Sequence, residues 1–246
     1  MRKRTVCGKN FTMKKSALLL GLVLSMGAVA SAAPAENYEA GKVSIDLGTT
    51  ISPKLEVSPG TSFDASNDFS GGLTVGLGHN FALQYGYDKT GAKEVNTYYE
   101  DVGYTEKDNG KVTANTVNLL YKINPKVSAY LGNRHVSGEL NCQWGGYDLD
   151  GSFYADKTTN VTASKNYVQA GLIGQTELAK NLTGWGNIGV GSGLLTCQVG
   201  VGYRVTSNLT ANLYYDYAQY KDMASYNGQN FDITTKGLKA GITLNF

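Results

Sequence analysis

Few residues of this 246-residue chain could do chemistry. His135-Val136-Ser137 with Glu139 has the composition of a nucleophile, a base and an orienting carboxylate. Residues two apart on a strand share a face, so His135 and Ser137 could meet. Three common residues in a polar stretch are a weak signal, and a hydrogen-bonded strand end accounts for them more simply. Asp148-Leu149-Asp150-Gly151 matches part of a calcium loop. It lacks the remaining ligand spacing and the closing Glu, so it reads as a solvated turn. Cys142 and Cys197 lack metal-site spacing. A disulfide between them suits an oxidising compartment, but the outward parity of Cys197 argues against it. The glycine-rich stretch 184–202 has no phosphate-loop Lys and no following helix. Its glycines read as strand positions that bend or pack closely. No catalytic residue, metal or cofactor is therefore expected, and the chain reads as a non-enzyme.

Composition narrows the elements that must carry these residues. Charged residues make up 17%, against roughly 25% in an ordinary soluble domain. There are 31 Gly and 17 Tyr, and mean hydropathy is −0.25. Such a chain is neither disordered nor a bundle of membrane helices, which needs runs of about 20 apolar residues. Met13-Lys14-Lys15, the apolar run Ala17 to Ala30 and Ala30-Ser31-Ala32 form a secretory signal, with cleavage expected after Ala32. Residues 1–32 are assigned to this leader, with 1–12 as an upstream extension, and residues 33–246 to one domain. Cys7 precedes the apolar run and is no lipid acceptor. The leader carries six of the 22 basic residues and no acid. The remainder has 16 basic against 20 acidic residues, so the formal +2 becomes −4. No basic field for nucleic acid survives.

Alternation with period two recurs along residues 33–246, and no helical period appears. The apolar sets run through Val43–Leu47, Phe69–Leu77, Phe81–Tyr87, Val117–Ile123, Val127–Leu131, Val168–Leu172, Leu182–Val190, Leu195–Val205, Leu209–Tyr217 and Leu238–Phe246. These are ten candidate strands of about ten residues, the length of a tilted membrane strand. The glycine-rich Leu182–Val190 is the weakest, and without it eight strands are the alternative. Short turns fall at His79-Asn80, Asn124-Pro125-Lys126, Ala179-Lys180-Asn181 and Thr206-Ser207-Asn208. Long polar connections fall at 52–68, 88–111, 134–165 and 218–234. The expectation is an all-β fold: one antiparallel transmembrane β-barrel with short periplasmic turns and long outer loops, in the outer membrane. Its apolar face meets lipid, and its polar face fills a narrow lumen.

That lumen is the second place for chemistry. Lys42, Asp46, Lys122, Glu177, Arg204, Asp216 and Lys239 have inward parity and are expected to form a charge network. Lys42, Lys122, Glu177 and Arg204 should gather at the periplasmic mouth. A plug is favoured over a selectivity filter. Tyr85, Tyr87, Tyr121, Tyr203, Tyr215, Tyr217 and Phe246 have outward parity, mostly near strand ends, and read as an interfacial aromatic girdle.

The terminal segment carries a resemblance. Leu238, Ala240, Ile242, Leu244 and Phe246 alternate up to a C-terminal Phe. This resembles the last strand of Gram-negative outer-membrane barrel proteins, and the chain is similar to small barrels of the porin-like or OmpA-like transmembrane type. The resemblance implies recognition of these residues by the barrel-assembly machinery, and contact with outer-membrane lipid and lipopolysaccharide. It favours a porin-like or structural envelope role, with small solutes as ligands where the lumen is open. The alternative is a surface recognition or adhesion protein whose outer loops 88–111 and 134–165, rich in Tyr, Asp and Asn, contact an extracellular partner. A third reading is an envelope enzyme. Small lipid A deacylases use His, Ser and Glu on a barrel surface, which His135, Ser137 and Glu139 resemble only loosely. Omptin-type proteases need Asp pairs and an Asp-His couple at the outer rim. Glu100-Asp101 and Asp148/Asp150 lie in outer connections, but neither His79 nor His135 adjoins an Asp.

Overall fold

The computed structural model describes residues 34–35, 37–58, 61–65, 69–99, 104–147, 152–226 and 229–246. The expected leader, Glu100-Asp101 and the Asp148–Gly151 stretch lie outside these residues. No helix is present among the described residues. The strands are β1 (Val43–Thr50), β2 (Lys54–Ser58), β3 (Thr61–Asp64), β4 (Phe69–Gly78), β5 (Phe81–Gly91), β6 (Val95–Tyr99) and β7 (Tyr104–Asn124), then β8 (Val127–Tyr147), β9 (Phe153–Ala179), β10 (Leu182–Gly191), β11 (Leu194–Arg204), β12 (Leu209–Tyr226) and β13 (Gln229–Asn245).

Ten of them close a ring in the order β1-β4-β5-β7-β8-β9-β10-β11-β12-β13, and β13 pairs back onto β1. Every pairing is antiparallel, so the backbone polar groups of the ring are satisfied without an edge. Each of the ten strands carries one of the ten alternating apolar sets, with Val205 and Phe246 just past the ends of β11 and β13. The glycine-rich β10 is a full member, paired along its length to β9 and β11. It is in register with Gly171 and Gly200, where neighbouring groups approach closely: a Cβ there would lie 2.3 Å from the Ile188 carbonyl oxygen and from Tyr214 Cβ respectively. A Cβ on Gly189 would come within 2.2 Å of the Tyr130 hydroxyl.

One end of the barrel is trimmed by tight turns. His79 and Asn80 both have positive φ, 52° and 66°, which makes a two-residue turn of the primed type. Asn181, with φ 64°, turns β9 into β10. The other end is much taller on one side, and this corrects the expectation of long loops. Most of 52–68, 88–111, 134–165 and 218–234 is paired strand. β7 and β8 each run 21 residues and β9 runs 27. At about 3.3 Å per residue, β9 has a contour near 90 Å, against an apolar belt of about 25 Å. The short strands extend other walls upward: β2 pairs β13, β3 pairs β2, and β6 pairs β7. Among the described residues, only the β10–β11 hairpin stays low, turning at Ser192-Gly193.

The outward face is apolar in one belt. Leu83, Val117, Leu119, Leu131, Val168, Leu172, Ile188, Val199 and Leu213 are all exposed. Above it the outward residues become Asn115, Thr113 and Lys111 on β7, and Asn133, Ser137 and Glu139 on β8. Pro34, Ala35 and residues 37–41 cross the turn end inside the barrel. Tyr38 is 3% exposed and packs with Ala35, Ala82, Leu120, Tyr130 and Ile173. Its hydroxyl donates to Ser128 Oγ (3.2 Å). Gly41 N donates to Gly76 O at 3.0 Å, and Gly78 N to Tyr38 O at 2.9 Å.

Candidate functional site

The inward face of the barrel brings charged residues from opposite walls together. β13 delivers Lys239, which is 3% exposed. Its ammonium lies 2.5 Å from Asp88 Oδ2 on β5 and 3.0 Å from Asp216 Oδ2 on β12. Gln198 Nε2 donates to the other oxygen of Asp216 at 2.8 Å. Arg134 on β8 lies 5.5 Å from the Tyr220 ring and hydrogen-bonds the Tyr220 side chain. Two cations and two carboxylates thus span the lumen as a neutral group. Ions buried this deeply persist only when paired and hydrogen-bonded.

Below the ion pairs, side-chain amides form two relays. Gln169 Nε2 donates to Asn118 Oδ1 at 2.8 Å, and Asn118 Nδ2 donates to Gln84 Oε1 at 2.9 Å. Asn187 Nδ2 donates to Gln198 Oε1 at 3.1 Å. The ion pairs and amides surround a cavity of about 50 Å³. A second cavity of about 20 Å³ lies nearer the turns, lined by Pro34, Trp185, Arg204 and Asn212.

The expected charge network therefore divides. Asp216 and Lys239 stand together at its centre. Asp46 belongs to a separate group nearer the turns: it is 1% exposed and accepts from Thr243 Oγ1 at 2.5 Å. Asn212 Nδ2 donates to the same Thr243 oxygen at 2.9 Å. The expected cluster of Lys42, Lys122, Glu177 and Arg204 does not form. Lys42 precedes β1, and the other three lie on β7, β9 and β11, each separated from the next by at least one strand. Lys42 and Glu177 are exposed. The Lys122 ammonium lies 5.4 Å from the Tyr38 ring. Lys122 and Arg204 border the interior at the turn end, one against Tyr38 and the other at the smaller cavity, on strands that are not neighbours.

Sequence reasoning missed Asp88 and Arg134. Both fall in stretches read as loop. The signal was parity: Asp88 continues the inward register of β5 just past Tyr87, and Arg134 continues that of β8 past Leu131. It also missed an interior apolar cluster above the ion pairs, formed by Val112, Val136, Tyr167, Leu194, Ala218, Tyr220, Met223 and Ile233. The inner face was expected to be polar almost throughout.

On the outward face, Tyr121, Tyr203 and Phe246 lie near the turn end, and Phe81 packs against Tyr121 with the rings tilted and centroids 5.0 Å apart. Tyr85, Tyr87, Tyr215 and Tyr217 lie toward the upper edge of the apolar belt. The Tyr85 hydroxyl donates to Asn115 Oδ1 at 2.8 Å, the first polar row above it. Leu238, Ala240, Ile242, Leu244 and Phe246 line the strand that closes the ring. His135, Ser137 and Glu139 do not assemble into a triad. The His135 ring faces Asn166 Oδ1 at 3.0 Å, and Glu139 pairs with Lys111 at 2.6 Å. Cys142 and Cys197 are free thiols. No group of three or more His, Cys, Asp or Glu able to hold a metal occurs among the described residues.

No family model matches the chain, and no curated protein matches it by sequence. Solved structures do match. The outer-membrane protease OmpT from Escherichia coli superposes with a TM-score of 0.54 at 10% identity, over 84% of this chain and 94% of that one. The attachment invasion locus protein Ail of Yersinia pestis gives 0.45 at 12% identity, over 83% and 99%. The toluene transporter TodX of Pseudomonas putida gives 0.38 at 10% identity, over 92% and 93%. At these identities the OmpT likeness shows a shared fold, that of an outer-membrane β-barrel.

Proposed function

We propose that this outer-membrane barrel is a closed one that works through its outer extension, as a surface recognition protein on a non-conducting scaffold. The carrying observation is the lumen. Ion pairs, amides and an apolar cluster fill it, and its central cavity measures about 50 Å³. A wide aqueous path for solutes needs a far larger barrel or an unfilled one. The porin-like reading is therefore the weaker one, and a purely structural role is the bland alternative. The turn end faces the periplasm, and the tall end stands clear of the membrane. The apolar belt takes outer-membrane lipid and lipopolysaccharide, with the tyrosines and Phe246 as interfacial anchors. The terminal strand is the element offered to the assembly machinery after the leader is cut at Ala32.

Recognition is favoured over bare structure by the height of β7, β8 and β9. A strand needs only about ten residues to cross the membrane, and β9 has 27. The outward face of this extension carries a recess of about 240 Å³ bordered by Lys111, Thr113, Ser137 and Glu139. Its tip carries exposed Tyr98 and Tyr147, with Tyr147 and Phe153 edge to face at 5.4 Å. Exposed aromatics make effective contact residues. Catalysis is not proposed, because His135 and Glu139 are each engaged elsewhere.

Two measurements test this reading. Refolded protein in a planar bilayer should show no steady conductance, and a large steady conductance overturns the closed lumen. Replacing 141–160 by Asn-Gly joins the register pair Leu140 and Val161 directly. The shortened barrel should fold and insert, while bacteria displaying it lose adhesion to cells or matrix. Adhesion equal to that of the full-length display removes the recognition reading.

A further inference from the structure

The interior changes character within one inward step on five strands. Toward the tall end, Thr116 is followed by Ala114, Arg134 by Val136, Gln169 by Tyr167, Thr196 by Leu194 and Asp216 by Ala218. Toward the turns, Asn118 gives way to Leu120 and Gln84 to Ala82, both packed with Tyr38. A polar layer is thus held between two apolar ones.

Four residues lining the cavity in that layer each carry a buried polar atom with no protein hydrogen bond: Asp88 Oδ1, Arg134 Nε, Gln169 Oε1 and Asn187 Oδ1. They come from four strands. Gln169 is 3% exposed, so its oxygen is well removed from bulk solvent. The Asp88 side chain keeps 20% of its surface, against 4% for its partner Lys239. Both lie on the inner wall and line the cavity. Buried polar atoms carry a free-energy cost unless something bonds them. A cation would suit the three oxygens but meet the Arg134 guanidinium. An anion would suit Arg134 but meet Asp88. Water both donates and accepts, and about 50 Å³ exceeds the roughly 10–15 Å³ that one water needs.

We infer that this cavity is a water site, and that the barrel is sealed by the apolar layers on either side of it and not by the ion pairs. The ion pairs then stand in a wet layer and hold the walls together. The seal toward the outside is the layer of Val136, Tyr167, Leu194, Ala218 and Tyr220, which stops ions by refusing their water. The inference rests on the closed-lumen reading. Wild-type conductance tests that reading, and variants tested against a silent wild type test the inference.

Each sample is certified as a folded barrel by its shift in gel mobility on heating. Lys239→Gln should remain as silent as the wild type. Val136→Asn with Tyr167→Ser should conduct in discrete steps at least tenfold above background, and Met223→Gln, a milder change in the same cluster, replaces it if that pair fails to fold. Conductance through the Lys239 variant, or silence of the folded variant in the apolar layer, overturns the seal. In ¹⁵N-labelled wild type, the Arg134 Nε–H signal, assigned by its loss in Arg134→Lys, should show transfer from water. Its absence overturns the water site.

Discussion

Lys239 holds two carboxylates from different walls, Asp88 at 2.5 Å and Asp216 at 3.0 Å. Removing it leaves two buried anions with only Arg134 to balance them. Breaking such a pair typically costs about 3–5 kcal/mol. Lys239→Ala should lower the urea midpoint accordingly, and Lys239→Met with Asp216→Asn should recover part of the loss. Full stability of the single variant would show that the pair contributes nothing. Cys142, on the extension outside the membrane, is expected to be inert. Burial first, then the hydrogen bond to Asp108 and the charges of Asp108 and Glu106, push its thiol up to about 12. A raised pKa means less thiolate at any pH below it, and the thiolate is the nucleophile. In a Cys197→Ser background of the mature chain, iodoacetamide should label Cys142 at pH 8 at least tenfold more slowly than in the unfolded chain. Equal rates would show an unperturbed thiol. Asp216 and Lys239 were legible at this scale because parity alone places them inside. Their partner Asp88 was not, since nothing local distinguishes a last inward strand residue from a first loop residue.

Among the elements, the segment Pro34–Gly41 has its own lock. A Cβ on Gly76 would lie 2.1 Å from the Glu39 carbonyl oxygen, so glycine there is a condition for seating the segment. Gly76→Ala should leave the barrel folded and expose residues 34–41 to protease. If the segment stays protected, it is held by Tyr38 alone. Sequence alone left this segment unassigned, because eight residues without alternation give no period. The same physics hid the upper halves of β7, β8 and β9. Period-two patterning reports a difference between two faces. Within the belt one face meets lipid and the other the lumen, so Val117, Leu119 and Tyr121 alternate with Asn118, Leu120 and Lys122, of which only Leu120 is apolar. Above the belt the outward face meets water, as with Thr113, Ser137 and Ser164, and polar runs result. The tight turns at Asn80 and Asn181 were legible because these residues supply positive φ at points where the apolar sets change.

At the scale of the molecule, ten alternating sets became ten strands of a closed ring, and even the glycine-rich β10 took its place. The stacking of apolar, polar and apolar layers inside was not legible. It depends on which residues of non-neighbouring strands share a height, and that follows from strand tilt, which no single strand encodes. The low β10–β11 hairpin is another property of the whole. Above it β9 and β12 meet directly: Lys165 Nζ donates to the carbonyls of Lys221 and Asp222, each at 3.1 Å, and the Tyr167 hydroxyl to that of Lys221 at 3.1 Å. The parapet is therefore tall around β7 to β9 and notched over β10–β11. In a crowded membrane, a bulky neighbour is fended off on the tall flank and can draw near at the notch. The barrel, though round in the lipid, has a front and a back to its neighbours, and its packing within the bilayer plane acquires a heading.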